Sequence, residues 1–278
     1  MKPLILIAAL FFSASLCNAQ TYTPLQLAKK LLSKEPFDNL KSYCTGEFDG
    51  HPNGSDIAPG IKLSFLTLKE TDKLAMINVT ITRDSQQFDS YLFFEKDTIW
   101  KVSAFRALAM TGIIAKINED LKAFSPQQVD SVIAARHTVK KDNRMFKSKS
   151  EYQYLLGNTS LTLASDSALI LHFNNNKDAF EKTRETLVAK GITSLDNGTR
   201  DMKGIDDVRK QLKLLFIDNV YPNSNSTKNT LTFLIGGILD NAVGYMYIPN
   251  KTDMPEITAS NFILIRELGN GWYLYKTT

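Results

Sequence analysis

"SYLFFEKDTIWKVSAF" occupies Ser90–Phe105, and "NFILIRELGNGWYLYK" occupies Asn261–Lys276. In each, an apolar run meets a polar turn, and a tryptophan opens the next apolar run. Short runs rich in β-branched and aromatic residues, separated by polar turns, read as antiparallel hairpins. A large ring directly after the turn closes one end of the sheet's buried face. The pair of stretches points to an α+β chain with a hairpin-built sheet in each half.

Working outward, the first half also has apolar runs around Ile61–Leu68 and Leu74–Ile81. With Phe88–Phe94 and Thr98–Phe105 they predict a four-stranded antiparallel meander. The second half offers Thr230–Ile235, Ala242–Ile248, Ser260–Arg266 and Gly271–Lys276, a second four-stranded meander. When Phe65 is laid over Phe233, the two halves share Phe, Leu and an aspartate in the first turn, Asp72 and Asp240. The spacing from that Phe to the tryptophan is 35 residues to Trp100 and 39 to Trp272. A duplication and two independent meanders both fit so few identities. Inside the second set, the two glycines of "LIGGIL" suggest a bulge or a close backbone approach.

Helices are expected where the apolar period lengthens. "TPLQLAKKLLSK" has Thr23 as N-cap and Pro24 at the first helical position. "FRALAMTGIIAKINEDLKAF" and, after Ser125, "PQQVDSVIAARHTV" form a helical middle joining the meanders. The basic run "KKDNRMFKSKS" is the linker candidate, which divides the chain into lobes 20–140 and 141–278. The second lobe then reads as a strand at "DSALILHF" and helices at "KDAFEKTRETLVAK" and "DDVRKQLKLLFIDNV".

A meander crossed by a helix and closed by "YLFFEKDTIWKV" or "FILIRELGNGWYLY" resembles the cystatin-like and nuclear-transport-factor-2-like α+β folds. The latter superfamily contains binding modules as well as enzymes with an Asp and His pair in a cone-shaped pocket. Neither meander contains a histidine, so that catalytic pattern has no counterpart here.

The first residues, "MKPLILIAALFFSASLCNAQ", have a lysine, an apolar core from Leu4 to Phe12 and small residues ending at Ala19. That order predicts a signal peptide spanning residues 1–19 and export to the periplasm or the medium. A lipid on Cys17 is the rival reading, against which Leu16 stands where a small residue belongs. No later stretch approaches 18 consecutive apolar residues, so no membrane span is expected. Of two cysteines only Cys44 lies beyond Ala19, so the core and not a disulfide must hold the chain. The formal charge of +4 is too small to point to nucleic acid.

Candidate chemistry is sparse. "DGHPNGSD" places Asp49, Asn53 and Gly54 at calcium-loop positions, yet His51 and Gly60 occupy other ligand positions, which favours a polar turn. Cys44 lies seven residues before His51 and would need it, or another positive partner, to act as a thiolate; a small buried side chain is the ordinary reading. His172 with Asp178 gives an acid/base pair for a small hydrolase or isomerase; a histidine satisfied by neighbouring backbone is the alternative. His137 ends a helix, and three histidines in three regions suggest no metal cluster. No Gly-rich phosphate loop or GxSxG calls for a cofactor or a nucleophile elbow. Asn-x-Ser/Thr triplets start at Asn53, Asn78, Asn158, Asn197, Asn225 and Asn250.

Tyrosine alternates in two late strands, Tyr245 with Tyr247 and Tyr273 with Tyr275. If both pairs share a face they line a binding surface; otherwise they belong to a covered sheet. The expectation is a non-catalytic binding module for a peptide, glycan or lipid, with these tyrosines as ligand contacts.

Overall fold

Thr23 accepts a hydrogen bond from the Gln26 amide at 3.2 Å, and the Gln26 side chain returns one to the Thr23 amide at 2.9 Å. With Pro24 next, this capping box starts helix α1 (Pro24–Leu31), whose Leu27, Ala28 and Leu31 are buried. The structure, a computed structural model, describes residues 22–135, 144–191, 205–222 and 230–278. The expected signal segment, His137, Asn197 and Asn225 lie outside the described residues.

α1 packs on one face of a sheet made of β1 (Lys62–Glu70), β2 (Leu74–Arg83), β3 (Gln86–Lys96) and β4 (Trp100–Ala107). Its order is β1-β2-β3-β4, the antiparallel meander expected from the apolar runs. Register pairs Ile77 with Leu92 and Val79 with Ser90, so Ile77, Val79 and Leu92 turn toward α1. The alternate residues Asn78, Asp89 and Tyr91 therefore face the other way. The segment before β1 packs close: a Cβ on Gly54 would fall 1.6 Å from the Ser33 carbonyl oxygen.

The helical middle is α2 (Thr111–Ala123) and α3 (Pro126–Ala134), the latter opened by a Ser125–Gln128 capping box. Two elements differ from the sequence reading. α4 (Lys149–Thr162) shows no one-sided apolar stripe, because it packs against α2 and α3 and also against the second sheet. The run "DSALILHF" is helix α5 (Asp166–Asn175), not a strand. A short apolar run fits either period, and here the Ser165 cap, with its hydroxyl accepting from Ala168 N, decides for helix. α6 (Lys177–Ala189) and α7 (Ile205–Leu214) follow.

The second sheet has five strands where four were expected: β5 (Asn219–Pro222), β6 (Leu231–Ile238), β7 (Asn241–Tyr247), β8 (Phe262–Gly269) and β9 (Trp272–Thr277). Its order, β5-β6-β7-β9-β8, is not a meander, because β9 pairs with β7 and leaves β8 outside. "LIGGIL" does carry a bulge, between Leu234 and Gly236. Gly236 lets α4 approach: a Cβ there would lie 2.5 Å from the Thr162 hydroxyl. Asn158 of α4 fixes the same contact, donating to Phe216 O at 2.8 Å and Ile235 O at 2.6 Å.

Helices lie between the sheets, and the largest core is shared. Met76 and Tyr91 of the first sheet pack in one cluster with Phe173, Phe180, Phe233, Tyr245 and Trp272. Burial of apolar surface, at about 25 cal/mol per Å², makes this shared cluster one of the contacts that hold the two sheets together. Both tryptophans are buried, Trp272 fully and Trp100 at 9% exposure.

Candidate functional site

The register of β7 against β9 separates the tyrosines. Tyr245 opposes Leu274 and Tyr247 opposes Trp272, whereas Tyr273 opposes Met246 and Tyr275 opposes Gly244. Tyr245 and Tyr247 thus face the shared core, and Tyr273 and Tyr275 face the opposite side. Tyr245 is fully buried, and its hydroxyl donates to Leu169 O at 2.8 Å. Burial pushes its phenol far above the ordinary range. Tyr247 lies beneath the Arg184 guanidinium at 4.5 Å. Tyr275 is buried with its hydroxyl 3.2 Å from that of Tyr221, and Tyr273 is buried beside Met246 and Ile248. No open face carries all four.

His172 and Asp178 are not joined by a hydrogen bond or ion pair. His172 Nε2 donates to Leu215 O at 3.2 Å, and Asn176 Nδ2 stands 3.5 Å from Nδ1. The ring lies against Phe180, Phe216 and Tyr245, and burial lowers its pKa. Asp178 is exposed in the first turn of α6. Burial thus favours the neutral imidazole, which is held by the Leu215 carbonyl and flanked by the Asn176 amide.

The other nominated groups are also spoken for. Cys44 Sγ approaches Leu40 O at 3.3 Å, and burial, then Asp49, raises the thiol, the opposite of thiolate activation. His51 Nδ1 pairs with Asp56 at 2.8 Å, and the same carboxylate accepts from Asn53 N at 2.8 Å. Asn53 Oδ1 takes the Ser55 amide at 2.9 Å. The loop's oxygens serve its own turns. Asn78 is 4% exposed and donates to Asp89, so this triplet is no glycan acceptor in the folded chain.

What the fold does assemble is a buried polar joint centred on Asp166. Its backbone amide donates to Asp89 Oδ2 at 2.6 Å, and its carboxylate accepts from Tyr91 OH at 2.8 and 3.0 Å. Lys276 Nζ lies 2.7 Å from Asp166, with both side chains 4% exposed. Asp89 in turn accepts from Asn78 at 3.0 Å and Thr80 at 2.6 Å. Burial first, then Asp166 and Asp89, holds the Tyr91 phenol well above its usual range. Each buried charge has its partners, as burial demands. The joint ties β3, the start of α5 and β9, and its groups are sealed from solvent.

Sequence neighbours of Asp89 and Asp166 line a groove of about 460 Å³, bounded by the β2–β3 turn and the start of β3, α2, the end of α4 and the start of α5. Phe88, one residue before Asp89, is 47% exposed on one wall. Ser165 and Ala168, on either side of Asp166, lie on the other. Asn118 at the α2–α4 seam donates to Thr159 and Ser160, each at 2.8 Å. A larger cleft of about 660 Å³ between α4 and α7 holds charges of both signs, including Glu151, Lys213 and Asp218.

Sequence reasoning named neither the joint nor the groove. One signal was present: Lys276 ends an otherwise apolar strand, where a charge needs a partner. No protein-family model, curated protein or solved structure matches the chain.

Proposed function

We propose that this chain is an exported, non-catalytic binding module whose ligand sits in the groove between the β2–β3 turn and α2, α4 and α5. The observation that carries the reading is the joint that ties its lining segments together. Phe88 and Ser165, on opposite walls, adjoin Asp89 and Asp166, which are bonded to each other. Walls held in this way form a concave site before any ligand arrives, which reduces the ordering cost of binding. The groove volume of about 460 Å³ falls within the range of small-molecule sites. Export rests on the N-terminal lysine, apolar core and small residues. α1 lying across the first sheet supports the likeness to cystatin-like and nuclear-transport-factor-2-like folds.

A hydrolase or isomerase at His172 finds less support, since both ring nitrogens have neighbours within hydrogen-bond reach and Asp178 is exposed with no hydrogen bond to the ring. Thermal unfolding in the presence of neutral oligosaccharides, peptide amides and fatty acids tests the proposal. One class should raise the melting temperature of the wild type and not of Ala168→Trp, which fills the groove from an exposed position. An equal rise in both proteins, or none in either, contradicts it. Turnover that disappears in His172→Gln would establish the enzyme reading instead.

A further inference from the structure

We infer that the groove takes a neutral saccharide, an inference that rests on the binding reading above. Charge makes the first selection. Glu119 and Lys122 are the ionisable residues among the groove's lining, and their charges cancel. Phosphate or carboxylate ligands would ask for an unmatched cation.

The remaining lining is rich in groups that both donate and accept. Gln86 and Gln87 offer amides, and Thr111 and Ser160 offer hydroxyls. A pyranose presents hydroxyls around its rim, each donor and acceptor, and a C–H face on each side. Phe88, the third residue of β3, is 47% exposed and lines the same groove, where its ring is available to such a face.

Other neutral ligands fit less well. Leu163 is the one large aliphatic side chain in the lining, beside Ala115, Ala164 and Ala168, which is little contact for an acyl chain. An extended peptide needs a sheet edge to pair with. β3 runs past the β4 pairing, which begins at Ser90, by just Gln86–Asp89. That edge is short for strand addition.

The test is amide chemical-shift mapping of the full chain with maltotriose, cellotriose, chitotriose and an acetylated triglycine amide. At least one trisaccharide should shift Gln86–Phe88, Thr111–Ala115 and Ser160–Ala168 together. Phe88→Ala should weaken that sugar about tenfold, and Phe88→Trp should retain it. Both variants change an exposed side chain, so their unperturbed spectra should overlay on the wild type elsewhere. If the peptide amide shifts these residues and no sugar does, the saccharide assignment is wrong while the groove stands as a site. If no probe shifts them, both the assignment and the site fail.

Discussion

In the first sheet Trp100 opens the strand that completes a meander, whereas in the second Trp272 opens a strand inserted between β7 and β8. Around Trp272 the rings of Phe173, Phe180 and Phe233 lie at 5.1–5.7 Å, and its indole N–H donates to Glu181 at 2.9 Å. Trp100 instead lies against the α1 side of its sheet, with the Lys96 ammonium 5.4 Å from its ring. The same local pattern thus ends two sheets of different order. Hairpins are decided by neighbours in sequence, and sheet order is decided by which distant surface the hairpin can bury. The 249–261 connection lets the second hairpin reverse, and the register in which β9 then meets β7 puts Tyr273 and Tyr275 on the face opposite Tyr245 and Tyr247.

The comparison breaks most readily where the two sheets meet. Lys276→Met leaves the Asp166 carboxylate buried without its cation and should cost about 3–5 kcal/mol in urea unfolding. Adding Asp166→Asn removes the stranded charge and should restore part of that loss. A double variant no better than the single would show that the pair is not coupled.

The tryptophans come next. Trp272→Ala should cost about 3–5 kcal/mol, and Trp100→Ala should fall at or below the bottom of that range, because its ring has fewer aromatic neighbours and some exposure. Equal losses would mean that the two hairpins contribute alike despite their surroundings.

A smaller effect sharpens the contact of α4 with the connection between α7 and β5. A Cβ at Gly157 would stand 2.1 Å from the Phe216 ring, so Gly157→Ala should cost about 1–3 kcal/mol by overpacking. A neutral result would show that Phe216 has room to rotate.

The smallest effect is a pH dependence specific to the second half. Burial holds the His172 pKa below its ordinary value, so on acidification the unfolded chain binds the proton first. Stability should therefore be full above about pH 7 and fall as pH drops through the imidazole range. His172→Gln should flatten that part of the profile. An unchanged slope would assign the acid sensitivity to other groups.

Much of the architecture was legible because it is written locally. Thr23-Pro24 and Ser125-Pro126 mark helix starts, and each tryptophan marks a hairpin. α4 was missed because a helix buried on several sides carries no stripe, and α5 because eight apolar-rich residues fit two periods. β5, four residues long, exists through its pairing with β6. The joint was illegible for a related reason. Asp89, Asp166 and Lys276 are far apart in sequence, and nothing in the neighbourhood of one announces the others. The groove inherits that difficulty, since its walls come from both sides of the joint.

The central claim is that residues from both halves form one site, tied together at Asp166. Native-state hydrogen exchange of the wild type and Lys276→Met tests it most directly, read at Asp89–Tyr91 in β3 and Leu274–Lys276 in β9. The account predicts that the substitution lowers the opening free energy of both strands together, and of the Ser165–Ala168 wall with them. Loss of protection confined to β9, with β3 and the groove wall unchanged, would contradict it.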